Sequence, residues 1–230
     1  MIRLLVFCLC VGINSFAQRI QANFWNEAGI DYSISKRNYT SLSFSSRWDD
    51  YGCYKLFPEV SLGREILEGF KFELDYRFIK NREEFGLYSN SNRWNFNLKY
   101  GHKWNRIKIN IRIRYQFGQA GSLNQNYDSD FDNAWRLKPQ LSYKKKKSKF
   151  TYSAGLETFY NPQFGPVGRQ FNKIRSSIGL DYKLAGQQTL IAGFNYDKYI
   201  NAFDKSNRMV FKIGYNYNIK KSAKKTNSEK

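Results

Sequence analysis

The sequence predicts an all-β protein: a transmembrane, up-and-down antiparallel β-barrel of ten to twelve strands. Three observations predict it. A short apolar leader marks the chain for export. Eleven later segments alternate apolar and polar residues at period two. The links between those segments are alternately short and long.

The leader comes first. Arg3 supplies a positive start, residues 4–13 (LLVFCLCVGI) are apolar, and Ser15 and Ala17 are the small residues that a signal peptidase accepts. This is the pattern of a secretory signal peptide over residues 1–17, cleaved after Ala17. A spanning helix needs ~20 apolar residues, about twice this run. Cleavage removes Cys8 and Cys10 and leaves Cys53 alone, so no internal disulfide is expected. No later segment is apolar enough for a bilayer helix. An exported chain of this kind that lives in a membrane must be a closed barrel, because no edge can remain unpaired in lipid.

Composition agrees. The chain has 230 residues, a net charge of +19 and a mean hydropathy of −0.67, which argues against a helical membrane protein. Aromatics make up 18% of it. Disordered chains are poor in aromatics, so the chain is ordered.

The alternation is clearest at 107–117. Ile107, Ile109, Ile111, Ile113, Tyr115 and Phe117 share one face, and Lys108, Asn110, Arg112, Arg114 and Gln116 share the other. A helix would mix these sets; a strand separates them. Segments 70–80 and 92–102 repeat the pattern, with weaker copies at 24–34, 39–48, 55–66, 135–143, 150–160, 173–184, 189–198 and 208–219. Their lengths suit the ~9–11 residues that cross an outer membrane. Short turns are expected at 35–38, 67–69, 103–106, 144–149 and 185–188, and longer links at 49–54, 79–91, 118–134, 161–172 and 199–207. Bacterial single-chain barrels have even strand numbers. Parity therefore predicts ten or twelve strands, twelve before ten, with 22–34 the segment first to be dropped from the wall. The domain reading is signal peptide 1–17, barrel 18–219 and a basic tail 220–230.

A barrel this wide cannot be filled by side chains alone. The charged, mixed-sign set is therefore expected to line a hydrated lumen. It comprises Lys71, Glu73, Asp75, Arg77, Arg93, Lys99, Lys108, Arg112, Arg114, Arg136, Lys138, Glu157, Arg175 and Asp181. The apolar set, with rings such as Trp48, Trp94, Tyr100, Trp135 and Tyr217 near strand ends, is expected to face lipid and form aromatic girdles. Lys212, Gly214, Tyr217 and Ile219 resemble the polar-x-Gly-x-x-aromatic-x-apolar signal read by the barrel-assembly machinery, although residues 220–230 follow it.

The chain resembles a family of Bacteroidetes outer-membrane proteins, domain of unknown function 2490. The resemblance rests on Phe24-Trp25, Tyr76-Arg77-Phe78, Arg112-Ile113-Arg114-Tyr115-Gln116, Arg136-Leu137-Lys138-Pro139 and Glu157-Thr158-Phe159-Tyr160. It continues in Asn172-Lys173-Ile174-Arg175 and Gly179-Leu180-Asp181-Tyr182 and covers about 24–219. It implies an outer-membrane barrel and carries over no catalytic residue.

Signals for chemistry are sparse. The single histidine, His102, shares the apolar face with Tyr100 and reads as an interfacial structural residue. Asp128, Asp130 and Asp132 have the alternate spacing of a calcium loop, but Asn133 stands where its Gly belongs and Pro139 where its bidentate Glu belongs. The better reading is a solvated acidic loop. Lys144, Lys145, Lys146, Lys147 and Lys149, on the short-turn side, suit inner-leaflet phosphates. No nucleotide loop or metal cluster is present, so no cofactor, metal or nucleic acid is expected. The expected partners are outer-membrane lipids, lipopolysaccharide and the assembly machinery. The leading expectation is a non-enzymatic barrel, either a small anion-leaning pore or a plugged structural barrel. The alternatives are a barrel enzyme acting on lipid or lipopolysaccharide, and a soluble periplasmic barrel binding an apolar ligand.

Overall fold

The computed structural model describes residues 20–83, 86–119, 130, 132–165, 168–201 and 206–219. The leader at 1–17 and the tail at 220–230 lie outside the described residues. Eleven strands form the wall: β1 (Ile20–Ser33), β2 (Asn38–Asp49), β3 (Gly52–Leu67), β4 (Phe70–Arg82), β5 (Tyr88–Trp104), β6 (Ile107–Gln119), β7 (Ala134–Lys144), β8 (Phe150–Asn161), β9 (Gln170–Lys183), β10 (Gln188–Tyr199) and β11 (Asn207–Ile219).

Each strand pairs antiparallel with the next, and the barrel closes β1 on β11. All eleven alternating segments are in the wall, including 22–34. Even parity predicts ten or twelve strands; eleven close because β1 and β11 run parallel, from Ile20 beside Asn207 to Tyr32 beside Ile219. A parallel ladder satisfies both edges as fully as an antiparallel one, at slightly lower stability per residue. Among the described strands no edge is left unpaired.

Three of the five predicted longer links, those after β6, β8 and β10, are longer than every predicted short turn. Residues 83–87 between β4 and β5 are no more in number than residues 145–149 between β7 and β8, and at 49–54 β2 and β3 extend so far that only Asp50 and Tyr51 connect them. Gly52, at a φ of 103°, lets the chain reverse there. The β3–β4 turn requires Gly69, whose φ is 80° and where an added Cβ would lie 2.8 Å from the Gly101 carbonyl oxygen. Two prolines sit in the wall. The β3–β4 ladder skips Phe57 and Pro58, and the β7–β8 ladder skips Lys138 and Pro139. Proline has no N–H to donate, so these are places where the ladder opens.

The faces separate as alternation requires. Ile109, Ile113, Phe96 and Leu98 point outward and are exposed. Arg93, Asn95, Asn97 and Arg114 point inward and are buried. Outward rings pair across strands at both rims. Phe70 meets Tyr100 at 4.6 Å near the short turns, and Tyr115 meets Trp135 at 4.8 Å near the long links. The inner face is not purely polar. Trp25, Phe57 and Phe159 are buried inside, against the expectation that aromatics belong to the outer face. Each sits beneath a cation: Arg47 at 4.0 Å from the Trp25 ring, Arg77 at 4.2 Å from Phe57, and Lys173 at 4.1 Å from Phe159. A ring face attracts a desolvated cation, so these aromatics stabilise interior charge.

Candidate functional site: a basic cavity inside the barrel

Register places the inward charges in rows. Lys71 on β4 lies beside Lys99 on β5, which lies beside Arg112 on β6, which lies beside Lys138 on β7. One step away, Glu73, Asn97, Arg114 and Arg136 form a second row across the same strands. Like charges directly opposite on a sheet repel. Carboxylates from other positions offset most of this repulsion. Glu65 lies 3.7 Å from Lys71, Glu73 lies 2.5 Å from Lys99, and Glu157 lies 2.6 Å from Arg112 and 2.9 Å from Arg136. Asp75 binds Arg114 at 2.9 Å and accepts a 2.9 Å hydrogen bond from Asn97. Arg77 pairs with Glu59 at 2.6 Å. The Tyr39 hydroxyl donates to Glu73 at 2.9 Å.

A second cluster sits toward the long links. Asp130 is carried from the β6–β7 connection into the barrel, where it is buried. It meets Lys173 at 2.7 Å, Arg175 at 3.4 Å and Arg208 at 3.6 Å. Arg93 donates to its backbone carbonyl. Asp197 binds the Arg175 guanidinium through both carboxylate oxygens, at 2.6 and 2.7 Å. Gln116 donates to the Asp132 carbonyl at 2.6 Å, and the Asn133 side chain accepts from the Gly118 N–H at 3.0 Å. The expectation of a solvated acidic loop is therefore corrected at Asp130. Three cations surround its carboxylate, which disfavours a divalent ion there. Asp128 lies outside the described residues, among which no group of three His, Cys, Asp or Glu side chains is placed to hold a metal.

Between this cluster and the β1–β2 turn lies a cavity of ≈ 790 Å³. It reaches exposed Lys36 and Arg37 at its mouth. Thirteen Lys and Arg side chains line it, against seven Asp and Glu. Twelve of the fourteen expected lumen residues line it; Lys108 and Asp181 do not. Those two keep inward register but sit near the turn ends of β6 and β9.

Sequence reasoning missed the lumen role of Arg47, Asp130, Asp197, Arg208 and Lys212. Lys212 and Gly214, the first two positions of the expected assembly signal, line the cavity, while Tyr217 and Ile219 face outward. His102 is exposed on the outer face, opposite Ile109 at the short-turn end of β5.

A family model described as "Protein of unknown function (DUF2490)" matches residues 22–207. No curated protein matches the chain. Among solved structures, a NanC porin in a rhombohedral crystal form is similar at 12% identity, with a TM-score of 0.49 over 86% of this chain and 98% of that one.

Proposed function

The chain belongs to the DUF2490 family, and from that premise we propose a non-enzymatic outer-membrane barrel with an anion-leaning interior, narrowed in this state by Asp130. One observation carries the reading. A cavity lined by thirteen basic and seven acidic side chains lies inside a wall whose outer face is apolar. Soluble monomers rarely expose contiguous apolar patches beyond ~300–600 Å². Here outward Leu42, Phe44, Leu62, Phe96, Leu98, Ile113, Leu137, Ile178 and Ile213 come from strands all round the barrel. Acyl tails are the solvent that suits such a surface, and an outer membrane is where exported barrels meet them. Lipopolysaccharide and lipid are then the neighbours of the wall, and the barrel-assembly machinery its route of insertion. The lysine-rich β7–β8 turn suits lipid phosphates on the short-turn side.

Rings of Arg and Lys lower the barrier for negative charge. The test is conductance of the refolded, full-length protein in planar bilayers, with reversal potentials in a salt gradient. The expected result is small channels whose reversal potential indicates anion preference. Cation preference, or silence at every voltage, overturns the pore reading. The enzymatic alternative draws no support from His102, whose exposed side chain hydrogen-bonds to no described residue. The apolar-ligand alternative needs an apolar interior, and these apolar side chains point outward.

A further inference from the structure

In the basic row on β4 to β7, three of four cations have a carboxylate. Lys71 has Glu65, Lys99 has Glu73 and Arg112 has Glu157. Lys138 has none; neither its side chain nor that of Lys212, on β11, hydrogen-bonds or forms an ion pair with any described residue. Both line the cavity, within electrostatic reach of one another. Glu157, within reach of both, already holds Arg112 and Arg136, while Glu27 and Asp181 act on Lys212 from a distance without forming an ion pair with it. The Arg112 guanidinium gives one nitrogen to Glu157, while its buried Nε has no hydrogen-bond partner among the described residues. Two ammonium groups thus border the same cavity, with Arg112 beside Lys138 on the neighbouring strand. Both ammonium groups keep access to the cavity and have no ion-pair partner among the described residues, so an entering anion meets them before the charges already paired. Oxyanions suit this arrangement, because Arg and Lys donors form short charge-assisted hydrogen bonds to phosphate or carboxylate oxygens.

We infer that Lys138 and Lys212, beside Arg112, form a binding station for a small oxyanion. The inference rests on the reading of the interior as an anion path, and it gives that path a discrete stopping place.

Binding is measured apart from conductance, by isothermal titration calorimetry on the full-length protein refolded in detergent. Inorganic phosphate and succinate are the two probes, and whichever binds tells phosphate from carboxylate recognition. The expected result is saturable binding of at least one of them. In Lys138→Gln/Lys212→Gln the dissociation constant should rise at least tenfold. Lys138→Arg should stay within about threefold of wild type, and Lys145→Gln, in the exposed β7–β8 turn, within twofold. Heat-modifiable gel migration verifies that each variant is folded. The double variant removes repulsion from the row and is expected to fold as well as wild type. Absence of saturable binding by the wild type, or unchanged affinity in the folded double variant, overturns the site. Anion-selective conductance together with unchanged affinity would sink the station and spare the pore. Binding lost in the double variant of a protein that never conducts would do the reverse.

Discussion

Near the long links, Asp130 and Asp197 meet Lys173, Arg175 and Arg208 at 2.6–3.9 Å. On the cavity side, Lys138 and Lys212 meet no carboxylate among the described residues. Both regions have the same chemical inventory, long cations projecting from neighbouring strands. They differ in whether an acid was brought to them. At one end it comes from a connection between strands and from β10. At the other, Glu157 is held by Arg112 and Arg136, and Glu27 and Asp181 act on Lys212 only from a distance. The first region is therefore a structural knot, and the second keeps cations that no carboxylate holds. Net positive charge alone does not make an anion path; cations left over after pairing do.

The largest expected effect tests the knot. Asp130→Asn keeps the shape of the side chain but removes the charge that compensates Lys173 and Arg208. Breaking a buried ion pair from one side costs about 3–5 kcal/mol. Urea unfolding in lipid vesicles should reveal a loss at the lower end of that range, because Asp197 still serves Arg175. The same variant should conduct more than wild type in bilayers. Unchanged stability would erase the contrast between the two regions.

A somewhat smaller effect is expected on the outer wall. Leu98→Arg places a charge on the apolar face of β5, where the cost in a bilayer is about 2–4 kcal/mol near the midplane. Vesicle-based unfolding measures it; a cost near zero would mean that this face meets water. Smaller still is Gly69→Ala. It forces a Cβ to 2.8 Å from the Gly101 carbonyl at a φ of 80°, and strain of this kind costs about 1–3 kcal/mol. Slower refolding or a lower urea midpoint would register it. An unchanged midpoint would show that the β3–β4 turn can relax without loss.

The strands were legible because period-two alternation is a local property. Ile107 to Phe117 declares its two faces without reference to the rest of the chain. The cavity lining was nearly as legible, since parity within a strand decides which charges go inside. Parity also carried unused information. Trp25 lies between Asn23 and Glu27, Phe57 shares the face of Glu59, and Phe159 that of Glu157. Their inward position was readable from their neighbours, had residue type not been weighed above position. Asp130 was not readable: a residue in a connection has no period, and its partners on β9 and β11 are set by closure of the whole wall. Lys212 was legible as a polar strand residue, but the assembly-signal motif supplied a rival explanation for it. The strand number was countable as eleven, and a general rule about even numbers displaced the count.

The parallel seam between β1 and β11 has a consequence for protein engineering. Ile20 stands beside Asn207, and Ile219 stands beside Tyr32. A peptide fusing residue 219 to residue 20 must therefore run back along the whole seam, ~40 Å at ~3.3 Å per residue. Circular permutation through a two-residue hairpin is barred here, whereas any barrel with an even number of staves allows it. Reporter tags grafted at the two extremities of the wall should label opposite compartments.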